Sequence, residues 1–374
     1  MTMRVLHVYA GNLYGGVEAM LATLARRRAL APGLEPRFAL FFEGRLAREL
    51  REAGTPPEIL GAARLSRPWT VLRARYRLAR LLERSPVDVV VCHSTWSHAI
   101  AARHARRRGV PLVFWLHDAI GAPTRVDRLA MRAPPDLALC CSGFARDTLP
   151  ALFPHAPSEV VYYPVPPPPP GLGSAREEVR RELGTAPDEV VVVQASRMEE
   201  WKGHATHLEA LARLRDLPWR CWMAGGAQRP AEAAYAAGLR ALAGRLGIAD
   251  RVVFAGQRAD VPRLLAAADV HCQPNHGPEP FGIAFVEALY AGLPVVAADS
   301  GGAREVVDPS CGVRVPPRDP RALADALGRL IADPGLRARL GAAGPARAAA
   351  LCGPARQMGR LHAILAGVVK ERAA

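Results

Sequence analysis

The sequence contains almost no lysine. Of its 49 basic residues, only Lys202 and Lys370 are lysines, and the other 47 are arginines. Positions that require only a solvated positive charge have therefore been filled with arginine. Arginine presents a planar fork of donors, whereas lysine presents a compact point charge on a flexible stem. A lysine in mid-chain, just after an apolar run, therefore indicates a position that requires an ammonium group.

Signals for export and for membrane insertion are also lacking. No segment approaches the roughly 20 uncharged apolar residues of a membrane-spanning helix. The first apolar run, in "MTMRVLHVYAGNLYGG", is too short for a secretory signal and ends in glycine. The seven cysteines form no C-x-x-C pair and are odd in number, which predicts reduced thiols in the core and no structural zinc. We therefore expect a cytoplasmic protein.

The net charge of +14 is unevenly distributed along the chain. Residues 1–170 hold 23 arginines against 13 acidic residues, so most of the excess belongs to the first half. Two interpretations remain open: a solvated arginine-rich surface, or a surface that binds an anionic partner such as nucleic acid or an anionic membrane.

Apolar runs of strand length alternate with stretches of helical spacing through both halves of the chain. The runs are "RVLHVYA", "PRFALFF", "VDVVVCH", "PLVFWLH", "DLALCCS" and "EVVYYPV" in the first half, and "EVVVVQAS", "WRCWMAG", "RVVFAG", "DVHCQPN" and "PVVAAD" in the second. Strands that are apolar on both faces and alternate with helices predict parallel sheets covered on each side. The fold class is therefore α/β, with two doubly wound domains.

A proline-rich segment separates the two halves. Six of the seven residues at 164–170 are prolines, which make a stiff extended spacer. We place an N-terminal domain at 1–165 and a C-terminal domain at 166–350. The remaining residues, 351–374, form an amphipathic helix that we expect to pack back on the N-terminal domain, through Met358, Leu361, Leu365 and Val368.

The candidate site residues follow strands, because ligands of doubly wound sheets bind beyond the carboxyl ends of the strands. After the first strand, Gly15 and Gly16 allow a tight turn that brings N–H groups and a helix start close to an anion. The chain has no G-x-G-x-x-G fingerprint and no phosphate loop ending in G-K-S/T. A plain tight turn explains this glycine pair equally well.

Arg197 and Lys202 follow the buried run "EVVVVQAS". Two cations of different shape at one strand end suit a diphosphate, because the guanidinium fork binds paired oxygens and the ammonium binds the other phosphate. Further on, Glu279 precedes a helix start and Glu287 lies within that helix, whose first turn we expect to include Gly282 and Ile283. Carboxylates seven residues apart can accept hydroxyl groups at opposite ends of one extended ligand.

These residues resemble those of the retaining glycosyltransferases of the GT4 family, and the likeness covers essentially the whole chain. It rests on Arg197, Lys202 and the Glu279–Glu287 spacing, supported by "YGGVE", "LHD", "AGG", "FAG" and "SGGAREVV". The family resemblance implies the GT-B fold, in which two Rossmann-like domains face a central cleft. It implies that the C-terminal domain binds the nucleotide sugar and that the N-terminal domain faces the acceptor.

The resemblance also implies roles for individual residues. Arg197 and Lys202 match residues that hold and neutralise the donor diphosphate, and Glu279 matches the carboxylate that binds the donor sugar, with backbone N–H groups from Phe281 to Ile283. Glu287 matches the residue that binds the ribose, and His117 a histidine near the reacting centre. Gly15, Gly16, Gly225 and Gly282 match other substrate-binding positions. The sequence has no D-x-D triplet, and we expect neither a bound metal nor a cofactor, since the nucleotide diphosphate sugar is a co-substrate.

We therefore expect transfer of a hexosyl unit from a UDP- or GDP-type sugar to a carbohydrate, lipid-linked or small-molecule acceptor, and no nucleic-acid partner. Two alternatives remain: a nucleotide-sugar epimerase of similar architecture, and a non-catalytic basic protein that binds membrane or nucleic acid. The segment 71–84 carries Arg73, Arg77, Arg80 and Arg84 on one helical face. That stripe suggests peripheral attachment to an anionic membrane on its inner face, although the sequence predicts no exposed Trp or Phe beside it.

Overall fold

The structure, a computed structural model, describes residues 2–373 and divides into two compact units. Unit 1 comprises the chain up to Pro166 together with the segment from Cys352 onwards, and unit 2 comprises Pro167–Leu351. These divisions lie one residue beyond the boundaries that the proline-rich segment and the final helical pattern predict. The polyproline spacer thus joins the two units.

Unit 1 contains a seven-stranded sheet in the order β3-β2-β1-β4-β5-β6-β7, with every pairing parallel. Its strands are β1 Met3–Tyr9, β2 Leu34–Leu40, β3 Glu58–Ile59, β4 Val89–Cys92, β5 Leu112–Leu116, β6 Leu137–Cys140 and β7 Ser158–Val160. Its helices are α1 Gly16–Arg26, α2 Arg45–Glu52, α3 Pro68–Arg84, α4 Thr95–Arg107, α5 Arg125–Ala130 and α6 Gly143–Thr148. The central strands β4, β5 and β6 are buried throughout, as their unbroken apolar runs predict.

Unit 2 contains a six-stranded parallel sheet in the order β10-β9-β8-β11-β12-β13. Its strands are β8 Val190–Ala195, β9 Trp219–Ala224, β10 Val252–Gly256, β11 Val270–Gln273, β12 Val295–Ala298 and β13 Gly312–Val315. Its helices are α7 Ala175–Glu182, α8 His204–Leu211, α9 Pro230–Arg245, α10 Val261–Ala267, α11 Ile283–Tyr290, α12 Ala303–Val306, α13 Pro320–Ala332 and α14 Pro334–Cys352. Both sheets are therefore of the predicted Rossmann-like type.

The last helix, α15 (Pro354–Ala373), belongs to unit 1. Met358, Leu361 and Leu365 are buried, and with Val5 and Leu34 they line a small apolar space against the first sheet. Just before β2, a Cβ atom at Gly33 would lie 2.4 Å from the ring of His362, so the helix approaches the backbone where only glycine leaves room. Three of the four residues of the predicted apolar face are thus buried, and the fourth, Val368, is half-buried.

Two strands were not predicted from the sequence, and one predicted strand is shorter than expected. β3 has only two residues, and β13 (GVRV) includes the exposed Arg314, so neither forms an unbroken apolar run. Only the first two residues of the run "EVVYYPV" belong to a strand, β7, which comprises Ser158–Val160. All seven cysteines are buried with free thiols, as predicted. Within the part of the chain that the structure describes, no helix is long and apolar enough to cross a membrane.

The basic helix of unit 1, α3, differs from the sequence expectation in two respects. The expected absence of exposed aromatic residues is wrong, because Trp69 and Tyr76 both lie exposed on this helix. The arginine stripe is also less free than expected, since Arg77 donates to the carbonyl of Ile59 and Arg84 pairs with Glu58.

Candidate functional site

The sequence-predicted residues of unit 2 gather at the point where its strand order reverses. From β8 the chain builds outwards through β9 and β10, and from β11 it builds in the other direction through β12 and β13. The loops that follow β8 and β11 therefore diverge from adjacent strands and leave a crevice at their carboxyl ends. Arg197 and Lys202 lie on the first loop, and Glu279 lies on the second.

Lys202 forms an ion pair with Glu279 across this crevice. Its Nζ lies 2.6 Å from Oε2 of Glu279, and the two side chains are 13% and 11% exposed. The same Nζ lies 3.9 Å from the centroid of the Trp201 ring, a cation–π distance. The ammonium is thus held at the strand ends by a carboxylate and an aromatic face, and only one of its three N–H donors is required by Glu279.

The carboxylate of Glu279 is fixed by two further side chains. Gln273, at the end of β11, donates through Nε2 at 3.1 Å, and Asn275 donates through Nδ2 at 2.8 Å. Both bonds, like the ion pair with Lys202, reach the same oxygen, Oε2. Oε1 takes part in none of these three bonds. The three bonds therefore fix Oε2 within the protein and leave Oε1 available to accept a further hydrogen bond.

Two glycines allow the loops to approach so closely. Gly203, directly after Lys202, has φ +74° and a Cβ there would lie 1.9 Å from the carbonyl oxygen of Pro274. Gly225, after β9, faces the loop that carries Arg197, where a Cβ would lie 1.9 Å from the carbonyl oxygen of Ser196. No side chain fits at either place. Gly225 thus allows close backbone packing beside the cation-bearing loop, and its predicted contact with substrate stays a prediction.

Arg197 pairs with Glu199, a neighbour that the sequence analysis did not consider. The other carboxylate oxygen of Glu199 accepts from the indole N–H of Trp201 at 3.1 Å. The guanidinium and the ammonium therefore stand on the same loop, each beside a carboxylate.

The start of α11 differs by one residue from the expected position. Gly282 has φ +92°, a left-handed conformation that is incompatible with a helix interior, and it is the N-cap of a helix whose first residue is Ile283. The expectation that Gly282 belongs to the first turn is therefore wrong. The side chain of Phe281 is buried, so it lies in the core and only its backbone is close to the helix start.

Glu287 lies one turn further along α11 and is half-buried. Desolvation of its carboxyl group raises the pKa of Glu287 to about 7. A carboxyl group of this kind ionises more readily when a hydroxyl group donates to it, because hydrogen bonds favour the charged form.

In unit 1, His117 is the end of a chain of three hydrogen-bonded histidines, of which His7 and His93 are buried and His117 is half-buried. Its Nε2 lies 2.8 Å from Nδ1 of His93, and Nε2 of His93 lies 2.9 Å from Nδ1 of His7. On the other side, Nδ1 of His117 lies 2.7 Å from the hydroxyl of Tyr163. β1, β4 and β5 are adjacent in the sheet, and His93 and His117 directly follow β4 and β5. The row of three histidines thus crosses the point between β1 and β4 where the strand order of the unit 1 sheet reverses.

Burial keeps these histidines neutral. Desolvation lowers the pKa of His7 and that of His117 to about 3, and it lowers the pKa of His93 well below its ordinary value. Both ring nitrogens of His117 are engaged within the protein. In this arrangement, the ring offers no spare nitrogen to a substrate, and a place for His117 near the reacting centre stays a prediction.

The glycine pair after β1 is also partly engaged. The N–H of Gly15 donates to the carboxylate of Glu18 at 2.9 Å, and Gly15 is the N-cap of α1. In this structure the capping carboxylate of the same helix accepts from that N–H, and substrate binding by Gly15 and Gly16 stays a prediction. Gly16, the first residue of α1, is exposed.

The sequence analysis missed the side chains that position the predicted ones. In unit 2 these are Gln273, Asn275, Trp201 and Glu199, and in unit 1 they are His7, His93 and Tyr163. A signal was available for some of them. Gln273 ends an otherwise buried strand, and each of two apolar strands is followed directly by a histidine, an arrangement that is unusual without a polar partner.

Comparisons with known families match both halves of the chain. A family model described as glycosyl transferases group 1 matches residues 175–347, and a second, described as glycosyltransferase family 4, matches residues 14–167. Together they account for most of the chain.

Curated relatives match over shorter stretches. A D-inositol 3-phosphate glycosyltransferase of Xylanimonas cellulosilytica is 39% identical over 179 residues, which are 47% of this chain and 42% of that protein. A phosphatidyl-myo-inositol mannosyltransferase of Mycobacterium leprae is 47% identical over 109 residues, 28% of this chain and 29% of that protein. The matched stretches span less than half the length of these relatives.

Solved structures match over nearly the whole chain. HepE of Anabaena, in complex with UDP and glucose, has a TM-score of 0.83 at 25% identity and covers 98% of this chain and 100% of its own. A glycosyltransferase of Rickettsia africae has a TM-score of 0.86 at 19% identity, with 99% of each chain covered, which shows a common fold.

Proposed function

Since the chain belongs to the GT4-type glycosyltransferases with the GT-B fold, we propose that it transfers a hexosyl unit from a nucleotide diphosphate sugar to an acceptor hydroxyl, with retention of the anomeric configuration. The observation that carries the proposal is the ion pair of Lys202 with Glu279 at the strand ends of unit 2. One residue of this pair suits a departing diphosphate, and the other suits the hydroxyl groups of a sugar.

The proposed chemistry depends on stabilising the leaving group. The bond between the anomeric carbon and the diphosphate oxygen breaks, and its electron pair goes to the diphosphate. The acceptor oxygen forms the new bond at the same face, and its proton passes to the departing diphosphate oxygen. Lys202 and Arg197 supply positive charge where the negative charge develops, on a loop that is already ordered. Glu279 holds the sugar, so the reacting atoms are positioned before the bond breaks.

The proposed donor is a UDP sugar, with a GDP sugar as the second candidate. The structure of HepE with UDP and glucose supports UDP. The names of the curated relatives, which include an inositol phosphate glycosyltransferase and a phosphatidylinositol mannosyltransferase, support a phosphorylated polyol or a lipid-linked inositol as acceptor. Other carbohydrate acceptors remain candidates.

Calorimetric titration tests the donor assignment. We expect wild-type protein to bind one of UDP, GDP or ADP, and we expect Lys202→Met to weaken that binding while the exposed control Lys370→Met leaves it unchanged. A folded wild-type protein that binds none of the three would contradict the proposal and favour a non-catalytic basic binder.

Product analysis then separates transfer from epimerisation. We expect incubation with the preferred nucleotide sugar to release free nucleoside diphosphate in the presence of an acceptor, in proportion to glycosylated product. Formation of a second nucleotide sugar without an acceptor would instead support the epimerase alternative.

A further inference from the structure

The outer face of α3 exposes large apolar side chains. Trp69, Leu72 and Tyr76 are 66%, 64% and 65% exposed, and Leu65, just before the helix, is 55% exposed. The spacing of three and four residues puts Trp69, Leu72 and Tyr76 on one face over a length of about 10 Å. Ala74 and Leu78, on the opposite face, are fully buried. The helix is therefore apolar on its solvent side as well as on its core side.

Exposed large hydrophobic side chains are concentrated on and next to α3. Five large hydrophobic side chains are exposed among the residues that the structure describes, and four of them are these, the fifth being Leu30. Single exposed apolar residues are ordinary on a protein surface, but a contiguous group that includes Trp and Tyr marks a binding surface.

Arginines surround the apolar group. Arg64, Arg67 and Arg73 are exposed, and no carboxylate of the described chain pairs with any of them. Next to Tyr76, a surface depression of about 300 Å³ is lined by Arg77, Arg80 and Arg84. We name as the α3 face the side chains of Arg64, Leu65, Arg67, Trp69, Leu72, Arg73 and Tyr76.

We propose that the α3 face binds the headgroup region of an anionic lipid bilayer, with Trp69, Leu72 and Tyr76 among the acyl carbonyl groups and the arginines at the lipid phosphates. Trp and Tyr are suited to this boundary because each has an apolar ring and a polar atom. Arginine binds phosphate through paired donors and adds about 1 kcal/mol of attraction for each residue near an anionic surface.

A second copy of the chain fits this surface less well. A symmetric pairing through the α3 face would bring Arg64, Arg67 and Arg73 of one chain close to the same residues of the other, and like charges repel at a contact. The inference rests on the surface of unit 1 and does not require that the proposed transferase activity be correct.

Flotation with vesicles tests the proposal. We expect the full chain to bind phosphatidylcholine vesicles that contain 30% phosphatidylglycerol, to bind pure phosphatidylcholine poorly, and to dissociate as salt rises. Replacing Arg64, Arg67 and Arg73 by glutamine should weaken binding to the anionic vesicles on the order of 100-fold at low salt. The control replaces the exposed Arg213, Arg321 and Arg339 of unit 2, which changes the net charge equally and should have a far smaller effect.

The apolar contacts have a separate test. Replacing Trp69, Leu72 and Tyr76 by serine should reduce binding at least ten-fold, whereas Leu30→Ser should not. Brominated lipids should quench part of the tryptophan emission in the wild type, and Trp69→Phe should remove that quenching, because Trp69 is the most exposed of the large hydrophobic residues. Circular dichroism and thermal melting confirm that each variant is folded.

Three results would overturn the proposal. They are equal binding to neutral and anionic vesicles, wild-type affinity in the folded α3-face variants, and a wild-type dimer that binds no vesicles and dissociates in the serine variant. The last result would identify a second copy of the chain as the occupant of the surface. Because vesicle binding is measured without nucleotide, its failure is distinguishable from failure of the nucleotide titration.

Discussion

Nζ of Lys202 and Oε2 of Glu279 lie 2.6 Å apart although the two residues are 77 positions apart in the sequence. The loops after β8 and β11 bring them together, and the side chains are 13% and 11% exposed. Trp201 lies on the other side of the ammonium at 3.9 Å. A guanidinium group is wider and planar and does not fit between these two partners in the same way. This geometry gives a physical reason for a lysine rather than an arginine at position 202.

We therefore expect Lys202→Arg to lower the turnover number on the order of 100-fold, which corresponds to about 3 kcal/mol of lost leaving-group stabilisation. Lys370→Arg is the matched control, because Lys370 is the other lysine and is exposed on α15. Steady-state rates with the preferred donor check this prediction. Full activity in Lys202→Arg would remove the reason for assigning the diphosphate to this residue.

Activity should not require a divalent ion. The positive charge at the proposed diphosphate position comes from Arg197 and Lys202, which are part of the chain, so EDTA should leave turnover nearly unchanged. The measurement is the initial rate in EDTA, followed by addition of magnesium or manganese. A loss of activity that magnesium restores would mean that the site has been misinterpreted.

Glu287 should make stability depend on pH. Burial raises the pKa of Glu287 from 4.5 to about 7, so the folded chain binds a proton that the unfolded chain releases. The resulting stabilisation is complete below about pH 4.5 and is lost as pH rises through about 7. Glu287→Gln mimics the protonated form, and its advantage in free energy of unfolding over the wild type should grow between pH 5 and 8 towards ~3 kcal/mol.

Urea unfolding of both proteins at several pH values checks this prediction. Glu209→Gln, an exposed substitution on α8, is the control and should follow the wild type at every pH. Other titrating groups contribute equally to the wild type and to the variant, so the difference isolates Glu287. Parallel curves for wild type and Glu287→Gln would show that this carboxyl group is not buried in the folded chain.

Much of the fold follows from the sequence because its signals are local. The apolar runs at residues 190–193 and 112–116 have the length of strands, and their β-branched and aromatic residues favour a buried strand over a helix. β3 and β13 could not be predicted, because their few residues are held by pairing with β2 and β12. The exposure of Trp69 and Tyr76 was not predicted, because large aromatic side chains are on average well buried.

The sequence predicts which residues stand at the strand ends of the candidate site, but not the hydrogen bonds that connect them. Arg197, Lys202 and Glu279 stand at strand ends, where the sequence pattern places ligand-binding groups. The bonds that Gln273 and Asn275 give to Glu279 depend on rotamers and loop paths that no spacing encodes. The hydrogen bond from the N–H of Gly15 to the carboxylate of Glu18 would likewise compete with a ligand for that N–H, and no sequence spacing predicts it.

The histidine chain of unit 1 leads to a prediction about tautomers. A neutral imidazole carries one N–H donor and one acceptor nitrogen. Nδ1 of His7 meets Nε2 of His93, and Nδ1 of His93 meets Nε2 of His117. If His7 donates through Nδ1, His93 must accept at Nε2 and donate through its own Nδ1 to Nε2 of His117. If His117 instead donates through Nε2, His93 must accept at Nδ1 and donate through its own Nε2 to Nδ1 of His7. All three rings should therefore carry the same tautomer.

Nitrogen-15 NMR of the imidazole rings at pH 6 measures this directly, because protonated and unprotonated nitrogens have different shifts. We expect three neutral rings of a single tautomer in the wild type, since the pKa values of His7 and His117 lie at about 3. His93→Leu should leave two buried nitrogens without partners, lower the free energy of unfolding by about 2 to 4 kcal/mol, and mix the tautomers of His117. His155→Leu, at an exposed position of the same unit, should change neither quantity. Mixed tautomers in the wild type, or a His117 signal that is unaffected by His93→Leu, would show that the three rings are not coupled.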